Sequence, residues 1–308
     1  MPTTTTSQPA RRDARANRPL ARPRLTRRPS RRPRRGRSPL HLILLPAAWS
    51  LAIFDLFVVG WLFLNSLKTT PEIFEDPWGL PSRPRWHNYV DAWNVAHFGE
   101  GVLNSLVLVV ASGIATLSLA APAAYALTRF RWRWSGPVTV FFAMGLGVPA
   151  QSIFIPLYVG MDRLGLVNTL WGLLLVYTAT NLPFAVFFLT GFFASLPHEL
   201  EEAAALDGAG PGYTFWRIML PLTRSGLLTL FVLQAIGDWG ETFFALVFLQ
   251  DKKTISLALL NFTQTMQYTG AEWSVLFAGI CIIVIPLIAL YLWTGRRLVE
   301  GIAAGYGR

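Results

Sequence analysis

From Leu40 onward the chain is built of long apolar runs separated by polar stretches, and six of the runs are long enough to matter. A helix needs about 20 apolar residues to cross a hydrocarbon layer, because backbone groups facing lipid must be satisfied within the segment. The runs extend approximately from Leu40 to Leu67, Gly101 to Leu127, Gly136 to Val159, Thr169 to Phe193, Met219 to Leu249 and Trp273 to Leu298. The pattern predicts an all-α polytopic membrane protein with six transmembrane helices. Two longer polar segments, Lys68 to Glu100 and Gln250 to Glu272, fall on one side of the membrane, and a sizeable one, Ala194 to Arg217, falls on the other. Trp171, Trp273 and Trp293 lie near run ends, as expected of amphipathic rings at headgroup level.

Arg and Lys stay on the cytoplasmic side during insertion, so their distribution orients the runs. With the N-terminus inside, cytoplasmic segments hold 21 bases and outer segments 6; without residues 1–37 the split is 8 to 6. Both termini are therefore expected in the cytoplasm, with the chain in the inner membrane.

Composition agrees with the pattern. Apolar residues make up 53% of the 308 positions and charged residues 14%, too apolar for a soluble domain of this length. The formal charge of +10 belongs to the N-terminus, where residues 1–37 hold 13 Arg and the single acid Asp13. The remaining 271 residues carry 14 bases against 16 acids and offer no basic face to nucleic acid. Residues 1–39, Arg-rich and interrupted by Pro, are expected to be a disordered cytoplasmic tail, with 40–308 forming the transmembrane domain. That tail can also touch anionic lipid. A cleaved signal peptide would need a shorter apolar core than the one that follows. One cysteine, Cys281, allows neither an internal disulfide nor a thiolate metal site, and His41, His87, His97 and His198 show no metal-ligand spacing.

The stretch between the fourth and fifth runs reads SLPHELEEAAALDGAGPGYTFWRIMLPLTRSG. Pro197 suits a helix start and Ser195 a cap, with Glu199, Glu201 and Glu202 in the first turns, where the helix dipole favours negative charge. Gly208 is placed to end the helix in the left-handed conformation, and Gly210-Pro211-Gly212 to turn the chain before Tyr213. Ala203, Ala204 and Ala205 permit close approach of a partner, and Glu202 and Asp207 offer it carboxylates. The reading is a docking knob; the plain alternative is a surface helix linking two spans.

These residues resemble the signature of the integral membrane subunits of binding-protein-dependent ABC importers. That signature runs Glu-Ala-Ala, three residues, Gly, nine residues, Ile-x-Leu-Pro, matched by Glu202-Ala203-Ala204, Gly208 and Ile218-Met219-Leu220-Pro221. The resemblance implies that the loop 194–221 holds a coupling helix docking into an ATPase subunit, with Glu202, Ala203, Ala204, Asp207, Gly208, Ile218, Leu220 and Pro221 at that site. Softer matches from Leu40 to the C-terminus resemble the carbohydrate-uptake branch, in particular the short six-span permease type of the maltose transporter. They are Asn104-Ser105, Ala123-Ala124-Tyr125-Ala126-Leu127 with Arg129-Phe130, Pro149-x-Gln151 with Ile155-Pro156-Leu157-Tyr158, Leu164-Gly165-Leu166 with Asn168-Thr169, and Gly301-Ile302-x-x-Gly305. The chain departs from the branch's Trp-Asn-Glu at Trp239-Gly240-Glu241.

The resemblance implies a permease subunit of a sugar importer. Its partners would be an ATPase dimer, a second homologous permease, an extracytoplasmic solute-binding protein, the sugar and membrane lipid, but not nucleic acid. The chain contains no Gly-x-x-x-x-Gly-Lys phosphate loop, so ATP and Mg are expected on the separate ATPase, and the chain itself is expected to have neither catalytic role nor cofactor. Asp55, Asp238 and Glu241 are costly within apolar runs and should face protein or water, or be neutralised. Gln151, Asn181, Gln234, Asp238 and Glu241 are candidates to line a sugar path; helix-to-helix hydrogen bonding is the alternative. Pro156, Pro183 and Pro286 can kink their runs. An ion-coupled secondary transporter and an ABC permease for an amino acid or phosphate remain as other readings. An intramembrane hydrolase built on Ser112 lacks a histidine base.

Overall fold

The computed structural model describes the backbone of residues 40–130, 132–269 and 272–305, and the side chains of 44–130, 132–266 and 272–295. The Arg-rich stretch 1–39, Arg131 and Arg308 lie outside the described residues, as do the side chains of His41, Arg296, Arg297 and Ile302. The chain divides into two units, Met1–Ile53 and Phe54–Arg308. Of the first, residues 40–53 are described, as the opening half of helix α1 (Leu40–Ser66). The second contains everything else.

Among the described residues every regular element is helical. Helix α1 buries no residue of its apolar window, exposing the first part and half-burying Val59 to Leu64. The polar segment after it contains two short helices, α2 (Thr70–Glu75) and α3 (His87–Val95). A capping box starts α2: Thr69 Oγ1 accepts from the Glu72 N–H and Glu72 Oε2 accepts from the Thr69 N–H, each at 3.3 Å. Buried Asn88 of α3 donates to the carbonyls of Ser66 and Lys68, closing the end of α1.

The second run forms α4 (Phe98–Arg129), longer than its apolar stretch at both ends. The third run, Gly136 to Val159, is not one helix. It forms α5 (Ser135–Gly147), a 3-10 turn at Ala150–Ile153 and α6 (Phe154–Arg163), bent by 92°. Pro149 lacks a backbone donor and forces Val148 into extended backbone, so helix cannot pass that point. The fourth run forms α7 (Leu170–Ser195) with Thr169 as its N-cap. Short helices α8 (Glu199–Leu206), α9 (Pro211–Thr214) and α10 (Leu220–Leu222) follow.

The fifth run, Met219 to Leu249, also breaks. Pro211–Leu222 meets α11 (Arg224–Gly240) at 69°, and α11 stops at Glu241, which is extended, before α12 (Phe243–Phe248). The segment from Gln250 to Glu272, expected as a polar loop, contains α13 (Ile255–Thr269), which buries Ile255, Leu257, Ala258 and Phe262. At 15 residues α13 is too short to be found as a span. Last is α14 (Trp273–Gly305). Among the described residues four helices are long and apolar enough to cross a membrane, or up to six if each bent pair counts as one span.

Helices α4 and α7 pack along their lengths and form the spine of the molecule. Lipid is as apolar as a side chain, so close packing rather than hydrophobic burial must hold spans together. Buried Ala120, Ala121 and Ala124 on α4 meet Val186, Leu189 and Phe193 on α7 in one cluster. A second cluster joins α3, α4, α11, α13 and α14, and a third joins α6, α12 and the start of α7.

Candidate functional site

At one end of this spine an arginine ties α8 to the two helices. Arg129, the last residue of α4, donates through Nη2 to the carbonyls of Phe193 (2.6 Å) and Leu196 (2.7 Å) at the C-terminal end of α7, where the Leu196 N–H also bonds the Phe193 carbonyl. Its Nη1 meets His198 Nδ1 at 2.8 Å and Glu201 Oε2 at 3.6 Å. The guanidinium side chain is buried, so this charge-assisted link between α4, α7 and α8 is not an exposed surface pair. Ser195, expected as the cap of α8, turns back into α7, where Oγ donates to the Phe192 carbonyl at 2.7 Å. Helix α8 begins at Glu199, two residues beyond Pro197, with His198 at the cap position.

Gly208 ends α8 at φ +80°, as its position predicts. The Ala209 N–H bonds the Ala204 carbonyl at 2.9 Å and the Gly208 N–H bonds that of Ala205 at 3.0 Å, a Schellman ending. The chain then runs through α9 into a π-turn at Phe215–Met219, where the Leu220 N–H reaches the Phe215 carbonyl. Pro221 accounts for the widening, since its ring crowds the carbonyl four residues back.

Within the knob the predicted residues have different surroundings. Glu202, Ala203, Asp207, Gly208 and Pro221 are exposed, Ile218 and Leu220 are half-buried, and Ala204 is buried against the chain itself. A concavity of about 780 Å³ opens between α8 and the π-turn, lined by Ala204, Asp207, Gly208, Ala209, Gly210, Tyr213, Arg217 and Ile218. Beside it Leu206 is 89% exposed, and Tyr213 and Trp216 are exposed too. An apolar tip, two aromatic rings and two exposed carboxylates around a groove are recognition chemistry.

A second polar constellation lies between α4, α7 and α11. Buried Asp238 accepts from Ser112 Oγ (2.7 Å), Asn181 Nδ2 (3.0 Å) and Gln234 Nε2 (3.4 Å), and Gln234 also donates to Thr116 Oγ1 (3.0 Å). Glu241 lies one break further on. It accepts from Tyr177 Oη at 2.9 Å and caps α12 through the N–H groups of Phe244 and Ala245. Asn181, Gln234 and Asp238 are thus brought together, with Glu241 adjacent. Gln151 is exposed on the 3-10 turn outside this group, and Asp55 is exposed on α1.

Arg129, His198, Glu201, Ser112, Thr116 and Tyr177 were not singled out as site residues from the sequence. Arg129 counted there as a charge at a run's end and, with Phe130, as part of a family resemblance, and no spacing rule links position 129 to 193–201. Ser112 and Thr116 lie one helical turn apart on α4, a weak signal that any polar pair in a span would give.

A protein-family model described as "Binding-protein-dependent transport system inner membrane component" matches residues 116–299, more than half of the chain. Among curated relatives, the probable ABC transporter permease protein YurM of Bacillus subtilis (strain 168) is 37% identical over 249 residues, covering 80% of this chain and 81% of its own. The diacetylchitobiose uptake system permease protein NgcG of Streptomyces coelicolor is 35% identical, covering 80% and 82%. The trehalose transport system permease protein SugB of Mycobacterium tuberculosis is 32% identical, covering 82% and 95%. A chain from the crystal structure of a bacterial ABC transporter involved in the import of the acidic polysaccharide alginate shares the fold. It superposes at a TM-score of 0.69 with 23% identity, covering 85% of this chain and 98% of that one.

Proposed function

Since the chain belongs to the family of binding-protein-dependent transport system inner membrane components, and is a multi-pass membrane permease, we propose that it is half of the translocation pathway of an ATP-driven sugar importer. The named uptake activities of NgcG and SugB support a saccharide as cargo. In this reading a second, homologous permease completes the pathway and a solute-binding protein delivers the sugar. An ATPase dimer, which carries ATP and Mg, docks on loop 194–221 on the cytoplasmic side, where both termini of the chain also lie.

The observation that carries the proposal is the Arg129 junction. A partner pulling on α8 pulls, through Arg129 and Glu201, on the ends of α4 and α7 together. Those two helices are the closely packed spine, so the displacement is passed on as a rigid-body tilt and is not dissipated in a flexible loop. The contact residues proposed are Glu202, Ala203, Asp207, Gly208 and Pro221, with Ala204, Ile218 and Leu220 shaping the groove behind them. Asp238, Asn181 and Gln234 are assigned to the path wall where the three helices meet, with Glu241 beside the break in the fifth run and Gln151 beside the break in the third. Broken helices at membrane depth are where transporters place polar sites.

Co-expression of the chain with candidate ATPase and permease partners, followed by purification through a tag on this chain, tests the docking site. An ATPase should co-purify with the wild type and be lost with Glu202→Lys and Gly208→Arg while membrane insertion is unchanged. Variants that behave like wild type in both ATPase retention and sugar uptake would refute the docking assignment.

A further inference from the structure

The polar segment after α1 does not stand away from the membrane. Trp61 Nε1, five residues before the end of α1, donates to the Pro77 carbonyl at 2.9 Å. The ring of Trp78 lies 5.9 Å from those of both Phe57 and Trp61. The turn after α2 therefore folds back along α1, to a level five to nine residues before Ser66, which at 1.5 Å per residue is about 8–13 Å below the helix end. A helix of 27 residues is about 40 Å long, against a hydrocarbon layer of about 30 Å, so each end projects roughly 5 Å. With α1 centred in the layer, Trp78 consequently sits about 3–8 Å inside the headgroup–acyl boundary.

The turn is held at that depth by its own polar groups. Lys68, buried, donates through Nζ to the Asp76 carbonyl (2.8 Å), Asp76 Oδ1 accepts from the Gly79 N–H (2.9 Å), and Glu72 Oε1 accepts from the Ser82 N–H (2.6 Å). That last bond holds the Glu72 carboxyl below the usual carboxylate range. With its backbone so occupied, the turn presents Trp78 at 70% and Leu80 at 77% exposure. The Trp78 indole N–H makes no hydrogen bond to any described residue, leaving the polar edge of an apolar ring free.

We propose that the 76–80 turn is a membrane-interface anchor, inserting Trp78 and Leu80 at the phospholipid headgroup–acyl boundary beside α1. The occupant is lipid because the patch continues a surface that already needs lipid. No residue of the apolar window of α1 is buried, and one neighbouring protein helix cannot cover a helix on every side. Indoles at this depth match the interfacial preference of Trp, which buries its ring and hydrogen-bonds headgroup or carbonyl oxygens. The anchor fixes that end of α1 at the membrane surface; its lipid contact rests on membrane insertion alone, whereas its use while other spans move rests on the transport reading.

Cys281 is the only cysteine, so Cys281→Ser gives a background for single nitroxide labels at Trp78→Cys and Leu80→Cys, with exposed Glu75→Cys on α2 as reference. The assembled transporter is reconstituted in phosphatidylcholine–phosphatidylglycerol vesicles, and collision rates with oxygen, which concentrates in lipid, and with a water-soluble nickel chelate are measured. The expected result is an oxygen-to-nickel ratio several-fold higher at 78 and 80 than at 75. A ratio equal to that at 75 would overturn the proposal, placing the turn in water where a solute-binding protein reaches it. Shielding from both reagents would also overturn it, in favour of a protein partner. Leu80→Cys packs against little, so it remains informative if the Trp78 variant inserts poorly.

Discussion

At the scale of single residues, the membrane raises the cost of any polar group and so makes each one interpretable. Asp238 and Glu241 were legible as expensive positions, but the same cost admits two solutions, and only the fold separates them. Asp238 is met by donors from three helices, whereas Glu241 spends its oxygens on Tyr177 and on capping α12. A hydrogen bond between spans averages about 0.6 kcal/mol, so Asp238→Leu, which removes two of these and one within α11, is expected to cost about 1–2 kcal/mol. Asp238→Asn keeps the shape and part of the bonding and should cost less. Thermal unfolding in detergent would rank the two below wild type in that order, and sugar uptake should fall with both if Asp238 lines the path.

At the scale of elements, glycine and proline decided more than hydrophobicity did. Gly208 was readable as a helix stop because few other residues take a left-handed backbone. Space is open around it, so the cost of a side chain is conformational alone. Gly208→Ala should therefore weaken ATPase retention through about 1–2 kcal/mol of backbone strain, while Gly208→Asn, which tolerates that region, should be milder. A pull-down titrated with ATPase would show the order Gly, Asn, Ala. The break at Val148-Pro149 was equally written in the chain, yet an apolar count runs through it, since hydropathy registers neither a missing donor nor a ring clash. Helix α13 escaped for the opposite reason: its apolar face is real but too short to span, and only the neighbouring α4 and α14 reveal it as packed helix.

At the scale of the whole molecule, charge sets orientation and packing sets motion. The 21 to 6 bias of Arg and Lys falls to 8 to 6 when residues 1–37 are removed. Deletion of that stretch is expected to leave the spans able to insert but to send a fraction of molecules in inverted, because the remaining asymmetry is small. A reporter at the C-terminus, active only on one side of the membrane, would measure that fraction; a single orientation would show that the spans themselves carry the signal. Packing works through Ala120, Ala121 and Ala124, which let α4 approach α7 closely enough for the pair to move as one body.

The sequence by itself determined the solvent, the helical class, the position of the polar loop 194–221 and its glycine stop. Each of these follows from chain-local physics: backbone satisfaction in lipid, φ preferences, and the spacing of a few residues. Only the tertiary structure decided that Arg129 ties the loop to two spans, that Asn181, Gln234 and Asp238 meet while Gln151 stands apart, and that Trp78 lies against α1. Apart from the Gln234–Asp238 pair within α11, those are contacts between residues roughly 20 to 72 positions apart along the chain, and in an apolar solvent any of several helix rotations would bury comparable area. The side-chain shapes and hydrogen bonds that select one rotation exist only once the helices are together.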